Sequence, residues 1–157
     1  MPWVNRGELL LADGRADEAI PMFERALAPG ILSNLIQERL ATQGLGASHL
    51  RAAESRLAKG IIFEGLAHAR LAAAFLERMP MKGMNDYLAV KFLGLSLAAK
   101  ARAQAAAGLP DDGTAARAVE ALVRAVRMER SDAEVLDTLA MLERMGARQV
   151  PSAWDRW

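Results

Sequence analysis

The chain of 157 residues contains no cysteine, and aromatic residues make up only 5% of it. Without cysteine there is no thiol nucleophile, no thiolate metal site and no disulfide, so cysteine usage says nothing about the compartment. Val, Ile and Thr together number 15, against 32 Ala and 22 Leu. Because Ala and Leu lose little conformational freedom in a helix, this composition predicts a helical protein.

Long uncharged apolar runs and an excess of charge of one sign are also missing. No window approaches the roughly 18 apolar residues of a membrane-spanning helix, and the first residues do not resemble a secretory signal. Lys and Arg number 20 against 19 Asp and Glu, which removes the electrostatic reason to expect nucleic acid as the main partner. We therefore expect a cytoplasmic protein that binds neither nucleic acid nor membranes.

The basic residues are nevertheless unevenly distributed. Residues 41–110 hold nine basic and four acidic residues, including all four lysines, whereas both ends of the chain are mildly acidic. This segment forms either a surface for an acidic partner or ordinary scattered surface charge.

Glycine, proline and acidic residues divide the chain into helical stretches separated by turns, one of which is predicted at 44–46. The predicted helices are 3–13, 16–28, 31–43, 48–78, 84–107, 114–129 and 132–146. Ser131, with Glu134 three residues later, predicts a capping box at the last of them. The stretch 48–78 is predicted as one helix, the alternative being two helices joined near Gly60 or Gly65. No stretch alternates as a strand does, so the predicted class is all-α.

Residues 3–28 carry a spaced pattern of small and large apolar side chains, formed by Trp3, Gly7, Leu10, Ala19, Phe23 and Ala26. Gly7 and Ala19 would let two helices approach closely, and the large side chains would fill the seam between them. The pattern resembles the tetratricopeptide repeat, with Arg6 and Pro29 as departures from it. Weaker echoes are Val90, Leu93, Gly94, Leu97, Ala118, Leu122, Ala125, Leu136, Leu139 and Ala140. The stretch 31–83 shows helical periodicity without the pattern.

The resemblance implies a right-handed, solenoid-like stack of antiparallel helix pairs, with about seven helices. It would form a single domain over 1–157 with a short C-terminal tail at 147–157. In tetratricopeptide proteins the first helices line a concave groove that holds a peptide or a helix of a partner. Carried over position by position, the groove residues are Asn5, Glu8, Lys91, Phe92, Asp137, Met141 and Arg144. Val4 and Glu8 stand where the family's carboxylate clamp has other residues, so capture of an acidic chaperone C terminus is not expected.

The expected function is therefore non-enzymatic: a protein–protein interaction module that acts as an adaptor, a chaperone or an accessory subunit. The alternative is a small helical-bundle enzyme or cofactor-binding protein. Glu64 and His68 share a helix face, yet the chain offers no further ligands at metal-site spacing, and His49 has no ligand-like neighbour in the sequence. We expect neither a metal nor another cofactor.

The tail at 147–157 carries two of the three tryptophans, Trp154 and Trp157. Large aromatic side chains gain from burial, so we predict that both are packed. They would lie either on the last helices near Leu139 and Leu142 or against another chain, which is a partner protein or a second copy in a homodimer.

Overall fold

Seven helices and no strands make up the part of the chain that the computed structural model describes, which is residues 2–31, 35–79 and 86–146. The helices are α1 (Pro2–Ala12), α2 (Ala16–Ala26), α3 (Leu35–Ala58), α4 (Ile62–Glu77), α5 (Tyr87–Ala106), α6 (Thr114–Met128) and α7 (Ala133–Arg144). The all-α class predicted from the sequence is confirmed. Within the described ranges, no helix combines the length and the apolar character that crossing a bilayer requires.

The boundary between α3 and α4 differs from the prediction. Helix α3 continues through 44–46, where the sequence predicts a turn, and the chain breaks at 59–61 instead. The prediction of one helix over 48–78 is therefore wrong, and the alternative break near Gly60 is confirmed. Gly60 has a φ of 75°, a left-handed conformation that ends α3 and that glycine adopts without steric cost.

The helices pack in chain order, each against the next. The odd-numbered helices also contact one another in the order α1, α3, α5, α7. Helices α3 and α5 thus each touch four neighbours, and residues 45–50 of α3 and 94–99 of α5 are buried on every face. A helix buried on all sides needs small or apolar residues all round, which is why these two helices lack a clear amphipathic pattern.

Three helix pairs share one packing contact, in which a large side chain of the second helix lies against a glycine of the first. The contacts are Gly7 with Phe23, Gly46 with Leu76 and Gly94 with Leu122. A Cβ atom on any of these glycines would come within 2.7 Å of the facing side chain, so only glycine fits without a shift. Four residues before each large side chain stands a buried alanine: Ala19, Ala72 and Ala118.

The central pair α3–α4 therefore contains the same glycine contact, although the sequence of this pair does not show the repeat pattern. His49 stands three residues after Gly46, where Leu10 and Leu97 follow the glycines of α1 and α5. The histidine, together with the longer helices, hides the spacing that is clear over 3–28. Gly46, which the sequence predicts as part of a turn, is a packing position inside a helix.

Three clusters of buried side chains form the core of the described residues. The largest joins α3 to α7 around Leu122 and Leu139, and a second joins α1, α2 and α3 around Phe23. The third is small and consists of Leu76, Met79 and Ala89. Because α3 contributes to the two larger clusters, it connects the first two helices to the last four.

Candidate functional site

The predicted partner-binding residues within the described ranges lie on α1, α5 and α7, which belong to the odd-numbered set. Asn5, Glu8, Asp137 and Arg144 are exposed, whereas Lys91, Phe92 and Met141 are half-buried. Trp154 and Trp157 lie outside the described residues. The structure brings two members of this set together in one cavity, Glu8 and Phe92.

That cavity lies among α1, α3 and α5 and has a volume of about 120 Å³. Glu8 and Leu11 of α1, Leu40 and Gln43 of α3, and Phe92 of α5 line it. Since one water molecule takes up about 30 Å³ in the liquid, the space suits a single side chain and not a peptide backbone. Between α1, α3 and α5 the described residues therefore form a small recess.

Lys91 is held inside the chain by two carboxylates at the start of α7, those of its N-cap and of its first turn. Its Nζ atom lies 2.7 Å from Oδ2 of Asp132 and 3.2 Å from Oε1 of Glu134. The side chain is only 14% exposed. The sequence analysis places Lys91 in a partner-binding surface, but its positive charge is largely neutralised within the protein.

Arg51 of α3 extends this ionic cluster. Its Nη1 atom donates to Oε2 of Glu134 at 2.6 Å and to Oε2 of Glu54 at 3.0 Å. The guanidinium also lies over the ring of Phe92, with Cζ 5.9 Å from the ring centroid. One set of ion pairs therefore ties α3, α5 and α7 together.

Asp132 stands at the centre of the cluster. Its carboxylate caps α7 by accepting hydrogen bonds from the N–H groups of Glu134 and Val135, so the cap is Asp132 and not the predicted Ser131. Burial raises the pKa of Asp132, but hydrogen bonds from Lys91 and Tyr87 outweigh it and bring the pKa down to about 2. Burial and the bond to the Asp132 carboxylate raise the pKa of the Tyr87 hydroxyl. These directions fit a structural ion cluster that stays charged at neutral pH.

We expect Lys91→Met to lower the free energy of unfolding by about 1–3 kcal/mol, the usual contribution of hydrogen bonds to charged groups. Urea unfolding followed by circular dichroism measures the loss. Lys100→Met, a half-exposed lysine on the same helix, is the matched control and should change stability by about 0.5 kcal/mol or less. Equal effects of the two substitutions would mean that the Lys91 ion pairs add nothing to stability.

The first half of α3 carries an exposed apolar surface that the sequence reasoning missed. Leu35 is 82% exposed, Ile36 is 74% exposed, and Leu40 is also exposed; we name these three residues the α3 patch. Apolar residues side by side in the first turn of a helix are a sequence sign of such a surface, because neighbouring positions point in different directions and both cannot face the core.

The α3 patch connects two cavities. Leu40 borders the 120 Å³ recess described above, and Leu35 borders a larger hollow of about 360 Å³. Leu27, Phe75 and Met79 contribute apolar walls to this larger hollow. Its volume falls in the range of roughly 300–1,000 Å³ that is usual for ligand pockets.

The charged residues at the rim of the larger hollow have contacts within the chain. Arg39 of α3 pairs with Asp86 at 3.1 Å, and the guanidinium of Arg78 lies 5.6 Å from the ring centroid of Phe75. The rim also carries Glu38, so charges of both signs surround the apolar walls. Such a rim around an apolar centre is typical of a surface that another molecule covers.

The side chain that contacts His68 is His49, which the sequence analysis left without a partner. His68 contacts His49 across the α3–α4 interface, with 2.9 Å between the two Nδ1 atoms, so one ring donates a hydrogen bond and the other accepts it. Glu64 lies 3.5 Å from Nε of Arg56. Burial lowers the pKa of His49 to about 4, with a further contribution from His68, and burial also lowers the pKa of His68.

The histidine pair does not belong to a larger cluster of metal-ligating side chains among the described residues. Across the described ranges, no group of three or more His, Asp or Glu side chains is placed so that it could hold a metal ion. The pair is instead a partly buried contact, in which His49 also packs on Phe75 with 5.8 Å between the two ring centroids.

Basic residues of the segment 41–110 take part in ion pairs within the chain, and Lys91 and Arg51 have been described above. Arg56 pairs with Asp17 of α2 at 2.8 Å as well as with Glu64. These contacts direct charge inward and reduce what the segment offers to an acidic partner.

Leu139 and Leu142, near which the two tail tryptophans are expected, are fully buried and belong to the larger core cluster. The expected packing of Trp154 and Trp157 concerns residues outside the described ranges and stays a prediction. Comparisons of the chain with protein-family models, with curated proteins and with solved structures find no match.

Proposed function

We propose that the chain is a non-enzymatic interaction module that binds a segment of another protein, as an adaptor, a chaperone or an accessory subunit. The observation that carries the proposal is the α3 patch with its adjoining 360 Å³ hollow. Exposed apolar side chains next to an apolar hollow with a mixed-charge rim have the composition of a protein-binding surface.

The energetics favour a partner segment with apolar anchors. Burying one Leu or Ile side chain contributes about 1.5–3 kcal/mol, so covering Leu35 and Ile36 would supply a substantial part of a micromolar affinity, about −8 kcal/mol. The hollow beside Leu35 could receive one large side chain of the partner. The 120 Å³ recess at Glu8 and Phe92, reached past Leu40, could receive a smaller one.

The scaffold supports the same proposal. The repeated glycine contacts, the buried alanines and the mutual contacts of the odd-numbered helices support a tetratricopeptide-like stack of helix pairs. The right-handed superhelix of such a stack is part of the proposal. Proteins built from such helix pairs use the side of the stack as a binding surface, and the α3 patch lies on a helix of the odd-numbered set.

The proposal predicts that Ile36→Asp weakens partner binding at least tenfold, which corresponds to about 1.4 kcal/mol, because a carboxylate would be desolvated in the interface. A photo-crosslinking residue at position 36 of the full chain identifies the partner in the native cell. The affinity of the purified partner is then measured for the native chain, for Ile36→Asp and for a control variant.

Leu9→Asp is the matched control, since Leu9 is 72% exposed on α1 and lies outside the α3 patch. Neither substitution should change the urea midpoint of unfolding appreciably, because both side chains are exposed. Equal affinities of the two variants would remove the α3 patch from the function. A purified protein that turns over a small molecule and captures no partner would favour the enzyme alternative.

A further inference from the structure

The recess among α1, α3 and α5 has mostly apolar walls. Phe23 and Ala47 are buried residues that line it, and Leu11, Leu40 and Phe92 contribute the other apolar side chains. Its volume of about 120 Å³ corresponds to roughly four water molecules at about 30 Å³ each. A single long side chain that enters the recess therefore contacts mainly carbon atoms.

Two polar side chains also line the recess, Glu8 of α1 and Gln43 of α3. Glu8 is exposed and Gln43 is half-buried. Among the described residues, neither side chain takes part in a hydrogen bond or an ion pair. A ligand that fills the recess removes water from both groups, so favourable binding requires that the ligand replace the lost hydrogen bonds.

The charge at the recess is negative and uncompensated. The guanidinium of Arg51 lies over the ring of Phe92, but it already binds Glu54 and Glu134. The carboxylate of Glu8 has no such cation in the described part of the chain. A free carboxylate beside apolar walls attracts a cationic group and repels an acidic one.

Arginine is the side chain that meets these requirements. An apolar side chain would fill the space, yet it would leave the Glu8 carboxylate and the Gln43 amide without partners. The arginine stem can pack on apolar walls while its planar guanidinium, with five N–H donors, reaches a carboxylate and an amide oxygen together. A lysine ammonium is a more strongly hydrated point charge with three donors on one atom, so it matches the two acceptors less well.

We propose that the recess binds an arginine side chain of the partner segment, with the guanidinium on the Glu8 carboxylate and the Gln43 amide oxygen. This inference rests on the proposed function, because the same segment covers the α3 patch. Gln43 follows Ile36 by seven residues on α3, which is a distance of about 10 Å along the helix. The arginine and the apolar anchor at Ile36 are therefore about three residues apart in an extended partner segment.

A library of random peptides displayed on phage tests the proposal, with the full chain as bait. Peptides that bind the native chain should carry an arginine about three positions from an apolar residue. The same selection against Glu8→Gln, which removes the charge and keeps the size of the side chain, should lose the preference for arginine. Glu24→Gln is the matched control, since Glu24 is an exposed carboxylate on α2 outside the recess, and it should keep the preference.

Affinity measurements on one selected peptide then isolate the charged contact. The peptide is made with arginine and with citrulline, which has nearly the same shape and no charge. We expect the arginine peptide to bind Glu8→Gln about tenfold more weakly than the native chain, as for the loss of a hydrogen bond to a charged group. The citrulline peptide should bind both proteins within about twofold of each other, because the lost interaction is absent from both complexes.

The outcomes separate this inference from the proposed function. Selected peptides without an arginine preference, or with one that Glu8→Gln leaves unchanged, overturn the assignment of the recess. If those peptides still lose affinity for Ile36→Asp, the α3 patch remains the binding surface. Arginine peptides that depend on Glu8 and bind Ile36→Asp normally would support the recess and remove the α3 patch from the function, and a selection that enriches no peptide contradicts both. Because Glu8 is exposed, Glu8→Gln should keep the urea midpoint of the native chain, which shows that any loss of binding is not a loss of folding.

Discussion

Replacing Phe23 with Ala should lower the free energy of unfolding by about 3–5 kcal/mol, as expected for the truncation of a large aromatic side chain in a core. Phe23 is fully buried, and its ring lies between the backbones of α1 and α3. Cβ atoms on Gly7 and Gly44 would lie 2.7 Å and 2.3 Å from the ring. Because helix backbones bound the ring on both sides, the cavity left by the substitution cannot close by side-chain movement alone.

The loss is large compared with the total stability of a domain, which is commonly about 5–15 kcal/mol. Urea unfolding followed by circular dichroism gives the difference. Glu24→Ala, an exposed neighbour on the same helix, is the control and should change the value by about 0.5 kcal/mol or less. A loss below about 1 kcal/mol for Phe23→Ala would contradict packing between α1 and α3.

The same contact shows how far the sequence predicts this fold. Apolar periodicity and breakers locate α1, α2, α5, α6 and α7 to within a few residues, because these helices begin and end at local signals. The turn predicted at 44–46 is wrong, because a glycine is compatible with both a turn and a close helix contact. The partner that decides between them, Leu76 for Gly46, lies 30 residues further along the chain.

The candidate site was predicted less well for a related reason. The position-by-position comparison places Lys91 on an odd-numbered helix, and the structure agrees with that placement. It carries no information about Asp132 and Glu134, which reach Lys91 from α7 and neutralise its charge. Exposure of Leu35 and Ile36 depends in the same way on which neighbouring helices fail to cover the start of α3.

The second large effect is the loss of folding stability that we expect when the pH is lowered. The free energy of unfolding should fall by about 3 kcal/mol between pH 6.5 and pH 4 through His49, at up to about 1.4 kcal/mol per pH unit. Burial lowers the pKa of His49 to about 4 in the folded protein, whereas an unfolded histidine titrates near 6.5. Between pH 6.5 and pH 4, His49 is therefore protonated in the unfolded chain and neutral in the folded chain, so the equilibrium shifts toward unfolding as the pH falls.

The surroundings of the pair reinforce this direction. Two protonated rings could not keep the hydrogen bond between the Nδ1 atoms, since neither would have a lone pair to accept it. The charge of Arg56 also lowers the pKa of His68, and the carboxylates of Asp17 and Glu64 oppose this only in part. Asp17 itself has a lowered pKa because Arg56 donates to it, so loss of its charge contributes at a lower pH than the histidines do.

His49→Leu separates the histidine contribution from that of the carboxylates. Leucine is the residue at the corresponding places of α1 and α5, Leu10 and Leu97, so the substitution suits the packing of this position. Urea unfolding at a series of pH values from 7 to 4.5 should show a slope that is smaller by about 1 kcal/mol per pH unit in the variant. His68 remains in the variant and accounts for the pH dependence that is left. Identical slopes for the native protein and the variant would mean that His49 takes up its proton as readily in the folded chain as in the unfolded one, and that the α3–α4 interface is open to water at this point.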